Sequence, residues 1–182
     1  MKKMGKILIF AVIFGVFLVF PALAQSATQL PTREDWPKSR LQDTYMEHLR
    51  DEGYVPVIDD DGDVRFKVSG DTYFIIIDEN DVSFFQIYMG FSLGSINAED
   101  AFTAANISNR RSKVAKVSIS PDGNIASITI EMILNDPEGF KFIFARALSL
   151  IRNAEGIFRT QLKDLSVASK SGGYSDYDSD AM

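Results

Sequence analysis

Chemistry in this chain would have to begin with its acids. Asp59, Asp60, Asp61 and Asp63 crowd around Gly62, and the Asp-x-Asp-Gly core has the look of a Ca²⁺ loop. With Gly62 at the sixth loop position, however, Val57 falls at the first and Val68 at the twelfth, where a carboxylate and a bidentate glutamate are needed. The cluster therefore reads as a hairpin turn. Hydrolysis by paired carboxylates would need two acids projecting from rigid elements into one cleft. Glu131 is the acid inside an apolar run, yet alternation groups it with Ser127 and Thr129 on the solvent side. Asp78 and Glu131 would serve an enzyme only if the topology brought them together. His48 is the single histidine, with no second one for a metal site or a proton relay. The serines lack a Gly-x-Ser-x-Gly elbow, and the run from Gly90 to Gly94 lacks the Gly-Lys-Ser/Thr of a phosphate loop. There is no cysteine, hence no disulfide, no thiolate nucleophile and no thiolate metal ligand. The expectation is a chain with no catalytic residue, no cofactor and no metal.

The elements that would carry these residues can be read in order. A first helix begins at Ser39 as N-cap, repeats Leu41, Tyr45 and Leu49 at four-residue spacing, and stops at Gly53. His48 sits beside its apolar face. Short β-type runs follow at 54–58, 64–68, 72–77 and 82–91, separated by Asp61-Gly62, Gly70-Asp71 and Glu79-Asn80-Asp81. A second helix opens after Ser95 or Asn97, with Glu99 and Asp100 complementing its dipole, and ends at Arg110-Arg111. Strands at 114–120 and 125–134 make a hairpin about Pro121-Asp122-Gly123-Asn124. The last helix has Asp136 as N-cap, Pro137 in its first turn, an apolar stripe through Phe140, Phe144, Ala147, Leu148, Ile151, Phe158 and Leu162, and a bend at Gly156.

Two of the strands are apolar on both alternating sets. Tyr73, Ile75 and Ile77 oppose Phe74 and Ile76; Phe85, Ile87, Met89 and Phe91 oppose Phe84 and Tyr88. An antiparallel sheet normally leaves one face to water. The second apolar face calls for helices, a second subunit or a partner, and Phe84, Phe85, Tyr88 and Phe91 are the candidate partner-binding residues. The alternative is a small-ligand or lipid pocket between sheet and helices, walled by the same aromatics.

At the amino end Lys2, Lys3 and Lys6 precede an apolar run at 7–20, then Pro21 and Ala22-Leu23-Ala24, the order of a signal peptide cut after Ala24. An uncleaved anchor is the alternative, since the run is only slightly short of the roughly 20 residues of a span. A lipoprotein anchor is excluded by the missing cysteine. Removing the three lysines of the leader takes the formal charge from −6 to −9. The nearest basic group, Arg110, Arg111, Lys113 and Lys116, is too short for polyphosphate, so nucleic acid is not an expected partner. Residues 25–38, with Pro31 and Pro37, read as a linker, although Trp36 in it is suited to plugging a core. Residues 39–165 form one domain, and 166–182 an acidic tail too polar to order itself.

The stretches Asp60-Asp61-Gly62-Asp63-Val64-Arg65-Phe66 and Ala104-Ala105-Asn106-Ile107-Ser108-Asn109-Arg110-Arg111, within this element order, resemble the bacterial YbjN family. The resemblance covers residues 39–165. It implies an α+β fold like that of type III secretion chaperones: an antiparallel sheet of about five strands with three helices, in the order α-β-β-β-α-β-β-α. It also implies a non-enzymatic binding or regulatory module, often dimeric, that receives another polypeptide. Secretion chaperones act in the cytosol, whereas this chain carries an export signal, so effector delivery does not follow. The expected protein is periplasmic or secreted, engages a protein partner or itself, and meets a membrane only through its leader. Intact-mass or N-terminal analysis of the chain expressed in a bacterium should find Gln25 as the first residue; retention of Met1 would mark an anchor instead.

Overall fold

The computed structural model describes residues 31, 32 and 34–171, the last four as backbone only. The leader, most of the linker and the residues beyond 171 lie outside the described part. α1 (Lys38–Asp51) starts two residues earlier than expected, with Pro37 rather than Ser39 at the cap position and no side-chain cap. Gly53 takes a left-handed φ of +85°, where a side chain would be strained, and closes the helix through Gly53 N–H to Arg50 and Tyr54 N–H to Leu49.

Strands β1 (Val57–Ile58), β2 (Val64–Val68), β3 (Asp71–Ile76), β4 (Phe84–Ser92), β5 (Lys116–Ile119) and β6 (Ile125–Ile133) form one antiparallel sheet in the order β1-β2-β3-β4-β6-β5. The sheet thus has six strands where about five were expected. The added one is the two-residue remnant of the run at 54–58. Pro56 has no N–H to give a ladder and biases Val55 toward extended backbone, and the chain before Val57 leaves β2 instead of pairing with it. α2 (Ala98–Arg111) is capped by Asn97, whose side chain accepts from Glu99 and Asp100 N–H, which settles the start between Ser95 and Asn97. Asp136 accepts from Glu138 N–H and opens a 3-10 turn, Pro137–Gly139, that runs into α3 (Phe140–Ser171). α3 passes Gly156 unbroken and continues through Ser171, so residues 166–171, expected in the tail, are helical.

Alternation then sorts the strands into two faces. Val64, Phe66, Tyr73, Ile75, Phe85, Ile87, Met89, Ala126, Ile128 and Ile130 are buried on one. α1 and α3 lie over this face: Tyr45 meets Phe85 and Phe140 at 6.1 and 4.6 Å, and Phe144 meets Phe66 at 5.8 Å between ring centroids. Each fully buried large apolar side chain contributes about 1.5–3 kcal/mol. Trp36 joins the same core, 4% exposed with the Arg40 guanidinium 3.9 Å over its ring. α2 presents only small residues, Ala101, Ala104, Ala105 and Ser108, to its neighbours and so packs closely against α3 and β5.

One side of the sheet is closed by a side chain that imitates a strand. Asn109 of α2 donates to Val117 C=O at 2.9 Å and accepts from Val117 N–H at 2.7 Å, occupying the outward backbone groups of that residue in edge strand β5. Asn109→Ala should therefore lower unfolding free energy by about 1–2 kcal/mol, because both peptide groups lose a partner near a core residue. Urea denaturation reads this as a lower midpoint at unchanged slope.

Candidate functional site

The four candidate aromatics do not share a surface. Phe85 is 0% exposed and belongs to the core beneath α1 and α3. Phe91 lies on that same face, half-buried, with Phe158 6.1 Å away and Arg159 4.2 Å over its ring. Phe84 and Tyr88 face the other way. The expected four-residue set is thus corrected to two, because residues one or three apart on a strand point to opposite sides.

No described side chain on this second face is buried. Its rows follow from the register. Arg65, Phe74, Tyr88, Thr129 and Lys116 lie across the sheet in one row; Ile76, Gln86 and Glu131 form the next; Phe84 and Ile133 the last. Phe74 and Tyr88 stack at 5.2 Å and 27°, and the absence of a side chain at Gly90 makes room for the Tyr88 ring, since a Cβ there would lie 3.0 Å from its hydroxyl. Ile133 is 63% exposed. The result is an aromatic plate with an aliphatic end, open to solvent. Phe74 and Ile76 were read from the sequence as the second apolar set of their strand but not as site candidates, and Ile133 was not named; carrying the β4 alternation across the β3 and β6 registers would have found them.

Polar groups on this face are already engaged. Glu131 is ion-paired with Lys116 and approached by Gln86 Nε2 at 3.5 Å. Asp78, the other acid considered for catalysis, accepts from Asn80 and Asp81 N–H in the β3–β4 turn. The acidic run is likewise a turn device. Asp59 Oδ1 accepts from Asp61 and Asp63 N–H, and Asp63 accepts from Ile77 N–H at 2.8 Å. Burial pushes the Asp63 carboxyl up, against the opposing effect of that hydrogen bond. Among the described residues no three acids or histidines converge as a metal site would require. His48 sits edge-on to Phe140 and Phe144 at 4.9 and 5.3 Å, with Nε2 buried and unpartnered.

A groove of about 760 Å³ opens at the β2 side of the open face. It is lined by Gly53, Tyr54, Val55 and Val57, by Arg65, Phe66 and Lys67 of β2, and by Thr72 and Phe74 of β3. It exists because the chain leaves β2 before Val57. None of the four sequence candidates lines it.

These observations define an open-faced α+β sandwich. No protein-family model matches the chain, and no curated protein matches it. Among solved structures it is similar to an uncharacterized protein from Methanothermobacter thermautotrophicus, with a TM-score of 0.53 at 12% identity, covering 68% of this chain and 97% of that one. It is also similar to YbjN from E. coli, with a TM-score of 0.46 at 12% identity, covering 70% of this chain and 92% of that one. At this identity the first likeness shows a shared fold. The comparisons do not show membership of the YbjN family.

Tyr73 is a core residue whose hydroxyl has no hydrogen-bond partner, and burial pushes it up to about 12, with Glu155 and Asp71 adding to the effect. The unfolded side chain ionises near pH 10, so the native state holds the proton longer and stability falls as pH rises through that range. Tyr45, raised by burial alone, acts in the same direction. Tyr73→Phe should leave stability at pH 7 unchanged or slightly higher and should flatten the loss between pH 10 and 12, measured by thermal unfolding across that range.

Proposed function

We propose that this protein is an exported, non-enzymatic binding or regulatory module whose open sheet face receives another polypeptide, in the first instance a second copy of itself. The observation that carries the reading is the Phe74–Tyr88 plate with Phe84, Ile76 and Ile133 on a face that no described helix covers. Arg65 and Lys116 bound the Phe74–Tyr88 row, while Gln86 and Glu131 lie between it and the Phe84–Ile133 row; exposed apolar surface of this kind marks interaction sites more than it serves a monomer. Phe74 and Tyr88 offer large rigid area at small entropic cost, which is the chemistry of interface anchors. Export rests on the leader and its small-residue cleavage site, and on the signal-like order of charge and apolar run.

The small-ligand alternative loses its original basis, because the aromatics expected to wall a pocket are divided between two faces. Light scattering behind size exclusion on residues 25–182 tests the proposal. Wild type should run as a dimer, and Phe84→Ser and Tyr88→Ser as folded monomers, each checked by circular dichroism. A wild-type monomer would overturn self-pairing through this face.

A further inference from the structure

The two edges of the sheet are treated differently. Asn109 occupies the outward peptide groups of Val117 in β5, whereas β1 pairs only with Val64 and Arg65 of β2. Backbone groups of antiparallel strands alternate in direction. Arg65 faces Val57, and the next residue of the same phase, Lys67, faces no strand at all. The groove occupies that vacancy.

Its charge is also unbalanced. Arg65 and Lys67, two residues apart on the same side of β2, are both exposed, and neither has an anionic partner among the described residues. The two cations lie together beside Tyr54, Phe66 and Phe74, with no acidic residue lining the same groove. An occupant complementary to this groove is extended, carries carboxylates at two-residue spacing on one side, and an aromatic or small residues on the other.

The chain contains such a segment. Residues 174–180 read Tyr-Ser-Asp-Tyr-Asp-Ser-Asp, so that Asp176, Asp178 and Asp180 fall on one side of an extended strand and Ser175, Tyr177 and Ser179 on the other. We propose that the groove between β2 and residues 53–57 binds this acidic segment of a second copy of the chain. One Asp side chain lies over Lys67 within reach of the long Arg65 side chain, the segment's backbone pairs with the free groups of Lys67, and Tyr177 turns toward Tyr54 and Phe66. A chain cannot fill its own groove. Phe144 packs on Tyr54 and Phe66 at 6.0 and 5.8 Å, which places the groove level with that residue of α3. Ser171 is 27 residues further along the helix, about 40 Å. Asp180 lies nine residues beyond Ser171, and nine residues stretch to at most about 32 Å.

This inference does not rest on the sheet-face reading, since Tyr88→Ser leaves Arg65, Lys67 and the groove in place. It is tested with a fluorescein-labelled peptide of residues 172–182, titrated with the chain 25–182 and read by anisotropy. Binding is expected to weaken as salt rises, because the cations are exposed. The double variant Arg65→Glu, Lys67→Glu should bind about tenfold more weakly or worse, and a peptide carrying Asp176→Lys and Asp178→Lys should restore binding to that variant. Absence of binding by wild type, binding indifferent to salt, or an acidic peptide bound equally well by the folded double variant would each overturn it. So would equal binding of a peptide of the same composition in which the two-residue spacing of the acids is broken.

Discussion

Everything in this molecule hangs on the seam where α3 crosses the sheet. Phe140, Phe144 and Phe158 are each at most 1% exposed, and they meet Phe85, Phe66 and Phe91 of the strands beneath. The same rings receive α1 through Tyr45 and His48. One row of aromatics thus fixes both helices on one side of the sheet. With about 1.5–3 kcal/mol for each buried ring and no disulfide available, the seam is the principal reason the sheet has an inside and an outside. The open face is its consequence: two helices are enough to cover one side, and α2 is drawn to the β5 edge rather than across the back.

That division explains which parts of the fold were legible. The helices and most strands could be read because their signals are local. Asn97 and Asp136 are caps with donors two residues on, and Gly53 supplies a left-handed stop. Strand phase was legible as well, since the alternating sets of β3 and β4 could be written down from sequence. What could not be read was which set the helices would choose. Both are apolar, so Phe85 and Phe84 look equivalent until α3 selects one phase across β2, β3, β4 and β6 together.

The candidate site was legible only in part, for the same reason. Tyr88 and Phe84 stand out within β4, but the surface they belong to is assembled across registers, from Phe74 on β3 and Ile133 on β6. Arg65 and Lys67 read as ordinary alternating polar residues of an edge strand, and their significance depends on Val55 and Val57 across a gap. The gap itself had a sequence signal in Pro56, inside a run otherwise apolar enough to pass for a strand. A proline there removes a ladder donor and constrains its predecessor, and the run at 54–58 shrinks to two paired residues.

The contrast between the edges bears on how a domain of this size stays specific. An exposed strand edge is a template for any extended chain. At β5 the template is interrupted at Val117 by Asn109, whose amide supplies one donor and one acceptor in the manner of a peptide unit. At β2 it is left in place but flanked by Arg65 and Lys67, which repel cationic chains and favour acidic ones. Charge at an edge ordinarily serves to prevent pairing. Here the protein as a whole is acidic, and two like-charged residues at strand spacing convert the same device from exclusion into selection: the edge is closed to most extended peptides and open to those whose carboxylates repeat at every second residue.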